Sequence, residues 1–497
     1  MISKRKRIWG WYFFDWASQP YSTLLLTFIF GPYFTDIAIG HYMGTGLDAD
    51  AAAAKAQSFW GWGIAATSVI IAIVAPVLGA VADSTGRRLV WVWFFSAFYI
   101  LGAWGLWWVA PGGGIGVLFW AVTFFGIGFI GMEFATIFTN ALMPSLSDHD
   151  DLGAISGSGF AFGYLGGLVA LVLMLGLFIT APQAPPEDFA TELAGETGEE
   201  GEPLVPLEEE PLAPAGDPRP RAGEGPRTYL GLPPLLGEDS ETQTGTRIVG
   251  PFTAVWYVIF MIPFFLWVKE PKTAVSRIDL RRAVGQVIEL LKGLRFRDSL
   301  KAYLLSSLLY RDALNALYAF GAVYAKGVLG WSIGLIGIFG LVGAAAAVLA
   351  AWIGGRADRA FGPKPVIVVS ILVLTLVCLV LVGMTREQIW GIALDPSSTQ
   401  SDNILFFCGA LIGAAGGSLQ AASRTMMVRH TTPEEAAEAF SLYALSGKVT
   451  SFIAPALIAL VTGISGSQRI GFSPLIGLFL LGMILLIWVN SKGEQSR

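Results

Sequence analysis

Gly79-Ala80-Val81-Ala82-Asp83-Ser84-Thr85-Gly86-Arg87-Arg88 stands between two long apolar stretches, and 275 positions later Gly354-Gly355-Arg356-Ala357-Asp358-Arg359-Ala360-Phe361-Gly362-Pro363-Lys364 stands between two more. Each copy sets an acid and two or more bases on a tight glycine turn. One such turn would say little. Its repetition implies a duplicated membrane bundle, an arrangement common among secondary transporters. Gly79, Asp83, Gly86, Arg87 and Arg88 in one copy, and Asp358, Arg359 and Lys364 in the other, form a candidate gating motif.

The 497 residues have a mean hydropathy of +0.61, and only 14% are charged. A soluble chain of this length needs a larger charged surface. Apolar runs of about 18 residues or more recur, the mark of membrane-crossing helices. Lys4-Arg5-Lys6-Arg7 precedes the first run. That run is too long for a signal peptide and no small-residue cleavage site closes it, so it reads as an uncleaved first span.

The pattern predicts twelve spans near 9–34, 58–81, 89–110, 115–142, 152–181, 249–269, 301–328, 332–355, 365–385, 403–427, 438–463 and 471–490. An even number returns both termini to one side. Arg87, Arg88, Lys364, Arg429 and the basic 270–300 connection share that side, while the first opposite loop carries Asp36, Asp48 and Asp50 against Lys55. By the positive-inside rule the termini are cytoplasmic. The expected fold is an all-α membrane protein, with twelve transmembrane helices in two pseudo-symmetric six-helix bundles. Residues 1–181 hold the first five spans and 249–269 the sixth. A cytoplasmic amphipathic linker occupies 270–300, with Ile288, Leu291 and Leu294 at helical spacing, and 301–497 form the second bundle.

Residues 182–248 differ in kind. They contain 12 of the 26 prolines and 15 acids against 4 bases. Such a stretch has little to bury, and disorder on the extracytoplasmic side is the expectation.

Six charges fall inside predicted spans: Asp15, Glu133, Arg311, Asp312, Arg424 and Lys448. Each costs about 2.5–3.5 kcal/mol at the bilayer centre on insertion scales. Together that is about 15–20 kcal/mol, more than a typical net stability. They must therefore face the interior, a hydrated cavity or an interface. Asp15, Ser18, Gln19 and Ser22 share one helical face, as do Glu133, Thr136 and Asn140, and Gln420, Ser423 and Arg424. Arg311 and Asn315 are one turn apart. Gly159-x-x-x-Gly163 and Gly163-x-x-Gly166 permit close helix approach.

Cys378 and Cys408 have no disulfide or zinc spacing, and His41, His149 and His430 are scattered. Gly126-x-Gly128-x-x-Gly131 lies inside an apolar span with no strand before it and is not a nucleotide fingerprint. No catalytic set is recognisable. Neither metal nor cofactor is expected, and an enzyme is the least favoured class. Thr432-Pro433-Glu434-Glu435 reads as a capping-box helix start ahead of the eleventh span.

These residues bear a family resemblance. The Gly79–Arg88 loop resembles the signature loop of the major facilitator superfamily. Trp11-Tyr12-Phe13-Phe14-Asp15-Trp16-Ala17-Ser18 resembles the opening of the vacuolar amino-acid effluxer family. Gln420-Ala421-Ala422-Ser423-Arg424 and Tyr310-Arg311-Asp312 are similar to its tenth- and seventh-span motifs, although Ala313 stands where the family has glycine. Phe440-Ser441-Leu442-Tyr443, with Gly447, Lys448, Thr450, Ser451 and Pro455, resembles its eleventh-span motif. The resemblance implies a twelve-helix carrier working by alternating access in a bacterial cytoplasmic membrane.

The leading expectation is a monomeric secondary transporter of a small polar solute, amino acids first, driven by protons. Its partners would be the bilayer and the solute, with no nucleic acid. Candidate solute or coupling-ion residues are Asp15, Gln19, Glu133, Asn140, Arg311, Asp312, Gln420, Arg424 and Lys448. The competing readings are a lipid or lysolipid mover, and a non-transporting sensor or scaffold.

Overall fold

A computed structural model describes residues 3–85, 88–142, 152–181, 226–236, 242–269, 297–396, 398–430, 443, 447 and 450–493. Among these, nine helices are long and apolar enough to cross a membrane. Ala161–Leu177 and Ile453–Ser465 are shorter apolar helices. Asp298–Leu329 completes the twelve. It is less apolar because it is an interior helix, burying Ser299, Ser306, Ser307 and Asp312 as well as its aliphatic residues. An interior helix needs no continuous lipid-facing surface.

Span one comprises Lys4–Pro20, a π-helical stretch Tyr21–Phe28, and Phe30–Gly44. Its wider helix ends with Ile29 N–H donating to Leu24 O at 3.0 Å. Pro20 removes an N–H just where the regular ladder gives way. Spans two to six are Ala49–Thr85, Arg88–Gly105, Gly114–Leu142, Leu152–Leu177 and Val249–Trp267. Spans seven to twelve are Asp298–Leu329, Ile333–Phe361, Pro363–Gly383, Gln400–Arg429, Ile453–Ser465 and Ser473–Leu485.

The duplication is visible in the packing. Span one lies on six as seven lies on twelve, and three on six as nine on twelve. Four contacts two and three, just as ten contacts eight and nine. The cores differ in chemistry. Thirteen of the 17 tryptophans precede residue 270. In the first bundle Tyr99 stacks on Tyr257 at 3.9 Å, Tyr21 meets Tyr99 at 5.0 Å, and Trp60 meets Phe125 at 4.7 Å. In the second, Ile367, Ile371, Leu374, Val377 and Leu381 fill span nine's buried face.

Two expectations change. Span eleven is not continuous over 438–463. Tyr443 and Gly447 are helical, residues 450–452 form a turn, and the helix restarts at Ile453. Pro455 has no N–H to offer the carbonyl four residues back, which favours a break at that level. Residues 182–248 are not uniformly structureless either. Ala181 N–H donates to Arg227 O at 2.8 Å, and Thr228 Oγ1 donates to Gly176 O at 2.6 Å. Leu230 sits over Gly176. The end of the insertion thus returns to the bundle as an ordered cap, because Thr228 is buried against span five and the Tyr229 N–H donates to Leu175 O at 3.2 Å. Residues 182–225, most of the 270–300 linker and the 432–435 helix start lie outside the described residues.

The bundles meet away from the face that carries the chain ends. Gln57 Nε2 of span two donates to Thr462 Oγ1 at 2.8 Å and to Gln468 O at 3.0 Å. Ser58 Oγ donates to Ala459 O at 2.9 Å. Gly61 lets the helices touch, since a β-carbon there would lie 2.8 Å from Ala459 Cβ. Asp36 of span one pairs with Lys326 of span seven at 3.1 Å. These contacts close one end of the molecule.

The closure is directly testable. A β-carbon at Gly463 would lie 4.0 Å from Ser58 Cβ, inside the usual disulfide range of about 3.5–4.5 Å. Ser58→Cys/Gly463→Cys is expected to oxidise to an inter-bundle disulfide. With a protease site inserted within residues 270–296, the cut protein should run as one species without reductant and as two with it. Two species under both conditions would contradict this packing.

Candidate transport passage

Asp15 lies on the part of span one that faces span five. Glycine makes its position possible: a β-carbon at Gly159 would lie 2.9 Å from Asp15 Oδ2, and one at Gly163 would lie 3.0 Å from Asp15 Cβ. One turn on, a β-carbon at Gly167 would lie 2.8 Å from Gln19 Cγ. The glycine pattern read as close packing is therefore the bed on which the Asp15 carboxylate rests. Ser18 is buried, while Asp15, Gln19 and Ser22 are half-buried. Among the described residues, no hydrogen bond to the Asp15 carboxylate is seen. Its charge partner is Arg424, from span ten of the other bundle.

Other groups converge on the same gap. The Gln420 side chain interacts with the hydroxyls of Tyr164 of span five and Tyr318 of span seven. Arg424 is electrostatically coupled to Tyr164. Tyr164 is 47% exposed although its hydroxyl reaches span ten, so its exposure is to space between the bundles. Asn315, one turn before Tyr318, is also exposed. Gly416 leaves room for the Tyr318 ring and hydroxyl.

Span ten is held in register by its neighbour. Ser423 Oγ donates to Leu419 O at 2.6 Å, so Tyr310 Oη donates to Ser423 Oγ at 2.8 Å. Tyr303 Oη donates to Ser423 O at 2.5 Å. With Ser423 fixed toward span seven, the next residue, Arg424, turns to another face of its helix.

The remaining candidates divide. Arg311 is held by span eleven: its guanidinium lies 4.0 Å from the Tyr443 ring centre and donates to Tyr443 O at 3.0 Å. Gly447 provides the space, as a β-carbon there would come within 3.0 Å of that guanidinium. Asp312 is buried and accepts the Ala454 N–H at 2.8 Å. Glu133 is buried in span four, and Asn140 is exposed at that span's end. Lys448 lies outside the described residues.

Of the repeated loops, the second is described better. Asp358 is buried, with an oxygen 4.0 Å from Arg429 Nη2 of span ten. Gly362 has φ +87°, which favours glycine and starts the turn into span nine. Lys364 Nζ donates to Val489 O beyond span twelve at 2.8 Å. In the first copy, Arg88 begins span three. Gly79 lies within span two, while the side chains of Asp83 and Arg359, and all of Gly86 and Arg87, lie outside the description.

Sequence reasoning did not single out Tyr164, Tyr318, or the Gln57, Ser58 and Gly61 surface. Span two's adjacent Gln57 and Ser58, four and three residues before Gly61, were the available signal.

Twelve spans in two repeating bundles, with polar groups from both facing one gap, define the major facilitator class of membrane transporters. Within that class the chain belongs to the family described as vacuole effluxer Atg22 like, which matches residues 233–496. A Bacillus subtilis relative called an uncharacterized MFS-type transporter is 22% identical over 97% of this chain and 94% of its own length. Autophagy-related protein 22-1 of Neosartorya fischeri is 25% identical over 52% of this chain, but only 44% of that protein is spanned. The crystal structure of a D-xylose-proton symporter superposes with a TM-score of 0.57 over 98% of both chains at 12% identity, a likeness of fold alone.

The glycine bed gives a local prediction. Gly163→Leu must displace the span-one turn that holds Asp15, and overpacking of this kind costs about 1–3 kcal/mol. A lowered thermal unfolding midpoint is expected, with a smaller loss for Gly163→Ala. Equal midpoints for all three proteins would show that spans one and five are not in close contact.

Proposed function

We propose that the protein is a secondary transporter of a small zwitterionic solute, with amino acids the leading class, working by alternating access in a bacterial cytoplasmic membrane. The reading rests on one observation: Asp15 of the first bundle is electrostatically coupled to Arg424 of the second, in a region that also holds Tyr164, Gln420, Tyr318 and Asn315. An acid and a base on opposite walls complement an ammonium and a carboxylate on one molecule. Tyr164 and Gln420 add hydrogen-bonding groups that orient it. A lipid mover would call for a more apolar lining than this.

With both termini in the cytoplasm, the closed end is the outer one, and the passage belongs to an inward-facing arrangement. The solute enters between the bundles, the inner ends approach, and the outer contacts at Gln57, Ser58, Asp36 and Lys326 release. Proton movement through Asp15 is the coupling step, because this carboxylate faces the gap. Such a carrier needs no metal or cofactor.

The test is a panel of amino acids and other small solutes in proteoliposomes, with and without an imposed pH gradient. Removing one charged hydrogen-bonding partner costs about 1.5–3 kcal/mol, tenfold or more in affinity. Asp15→Asn, whose amide cannot take up and release a proton, is expected to abolish gradient-driven uptake while leaving insertion and yield unchanged. Arg424→Gln should raise the half-saturating solute concentration about tenfold or more on the same basis. Full gradient-driven flux in Asp15→Asn would remove the coupling role, and no flux of any zwitterion would remove the solute class.

A further inference from the structure

Asp312 sits beside Arg311 in sequence but does a different job. Its residue is 3% exposed and its carboxylate turns to span eleven, where Oδ2 accepts the Ala454 N–H at 2.8 Å. Ala454 is the second residue of Ile453–Ser465, the helix that restarts after the turn at 450–452. The first N–H groups of any helix lack acceptors within it, and hydrocarbon supplies none. An ionised carboxylate there gains a charge-assisted hydrogen bond and lies at the positive end of the helix dipole. Phe452, at the N-cap position, makes no side-chain cap bond, so the acid comes from another helix.

The same short helix carries the inter-bundle closure. Pro455 O and Ala459 Cβ lie against Gly61, Ala459 O accepts from Ser58, and Thr462 Oγ1 accepts from Gln57. From Ala454 to Gly463 is about 13 Å along a rigid rod. One end is held by Asp312 of the second bundle, and its side rests on span two of the first.

We infer that Asp312 is a positioning residue rather than a solute ligand: by capping this half-helix it sets the helix against span two and so governs how firmly the outer end closes. The inference takes its functional meaning from the alternating-access reading, but its main test does not depend on transport. Arg311, the charged neighbour on its own helix, is directed to Tyr443, and Tyr310 is directed to Ser423.

The reporter is the initial rate of disulfide formation in Ser58→Cys/Gly463→Cys at fixed oxidant, in the full chain purified in nanodiscs. Adding Asp312→Ala removes the cap and should slow cross-linking about fivefold, the scale of a lost N-cap. Adding Asp312→Asn keeps an acceptor for Ala454 and should leave the rate within about twofold. An unchanged rate in Asp312→Ala overturns the inference, as does an equal fall in both variants. If Asp312→Ala fails to accumulate, Asp312→Leu, of similar size but without an acceptor, takes its place and should show the same fall, and an unchanged rate there overturns the inference. Asp312→Asn that cross-links normally but transports no solute, while Asp15-intact controls do, would place Asp312 in contact with solute or proton and overturn it too. Absence of flux in the controls themselves would fault the transport reading and leave the cross-linking result standing.

Discussion

Hydrocarbon neither solvates a charge nor completes a hydrogen bond, and the described structure is arranged around that fact. Short hydroxyl side chains such as Ser96 and Thr375 donate to a carbonyl one turn back on their own helix, while the larger polar side chains reach across to another. Trp11 donates its indole N–H to Thr139 O at 3.0 Å, and Trp256 donates to Trp16 O at 3.1 Å. Tyr324 reaches Leu381 O at 2.8 Å. These bonds fasten each bundle internally. Tyr164, Gln420 and Asn315 are polar groups that stay between the bundles rather than inside one of them.

Glycine sets where helices can come together. Span five offers Gly159, Gly163, Gly166 and Gly167 to span one, and each would meet span-one atoms if it carried a β-carbon. Gly61 does the same between bundles. A smooth surface lets backbones approach without interlocked side chains. Inside a bundle this gives density. At the boundary it gives a contact that few side chains need leave when it parts.

The repeat, the even span count and the burial of Glu133 and Asp312 were legible from sequence because periodicity and insertion cost are local properties. Asp15, Gln420 and Arg424 were legible for the same reason. Their partners were not: Tyr164 meets Gln420 across 256 positions, and nothing in the neighbourhood of either residue announces the other. Arg311 and Asp312 look equivalent as adjacent charges in one span. Successive helical residues diverge by about 100°, so one packs on Tyr443 and the other caps Ala454. The broken span eleven was missed although Ser446-Gly447-Lys448-Val449-Thr450-Ser451 interrupts its apolar run just before the turn, because the flanking apolar residues still add up to the length of one crossing. The ordered end of the acidic insertion was missed because averaged composition conceals three consecutive residues, Thr228, Tyr229 and Leu230, that differ from their surroundings.

The two bundles share an architecture but are unlike in material. Aromatic rings fill the first, and it holds 13 of the 17 indoles. Ultraviolet emission from the unlabelled molecule therefore comes chiefly from one half. A quencher seated in the second half would dim that light according to the distance between them. Duplication made the halves alike in shape, while their divergent composition left them optically distinguishable, and the protein carries its own lamp on one side of the boundary between them.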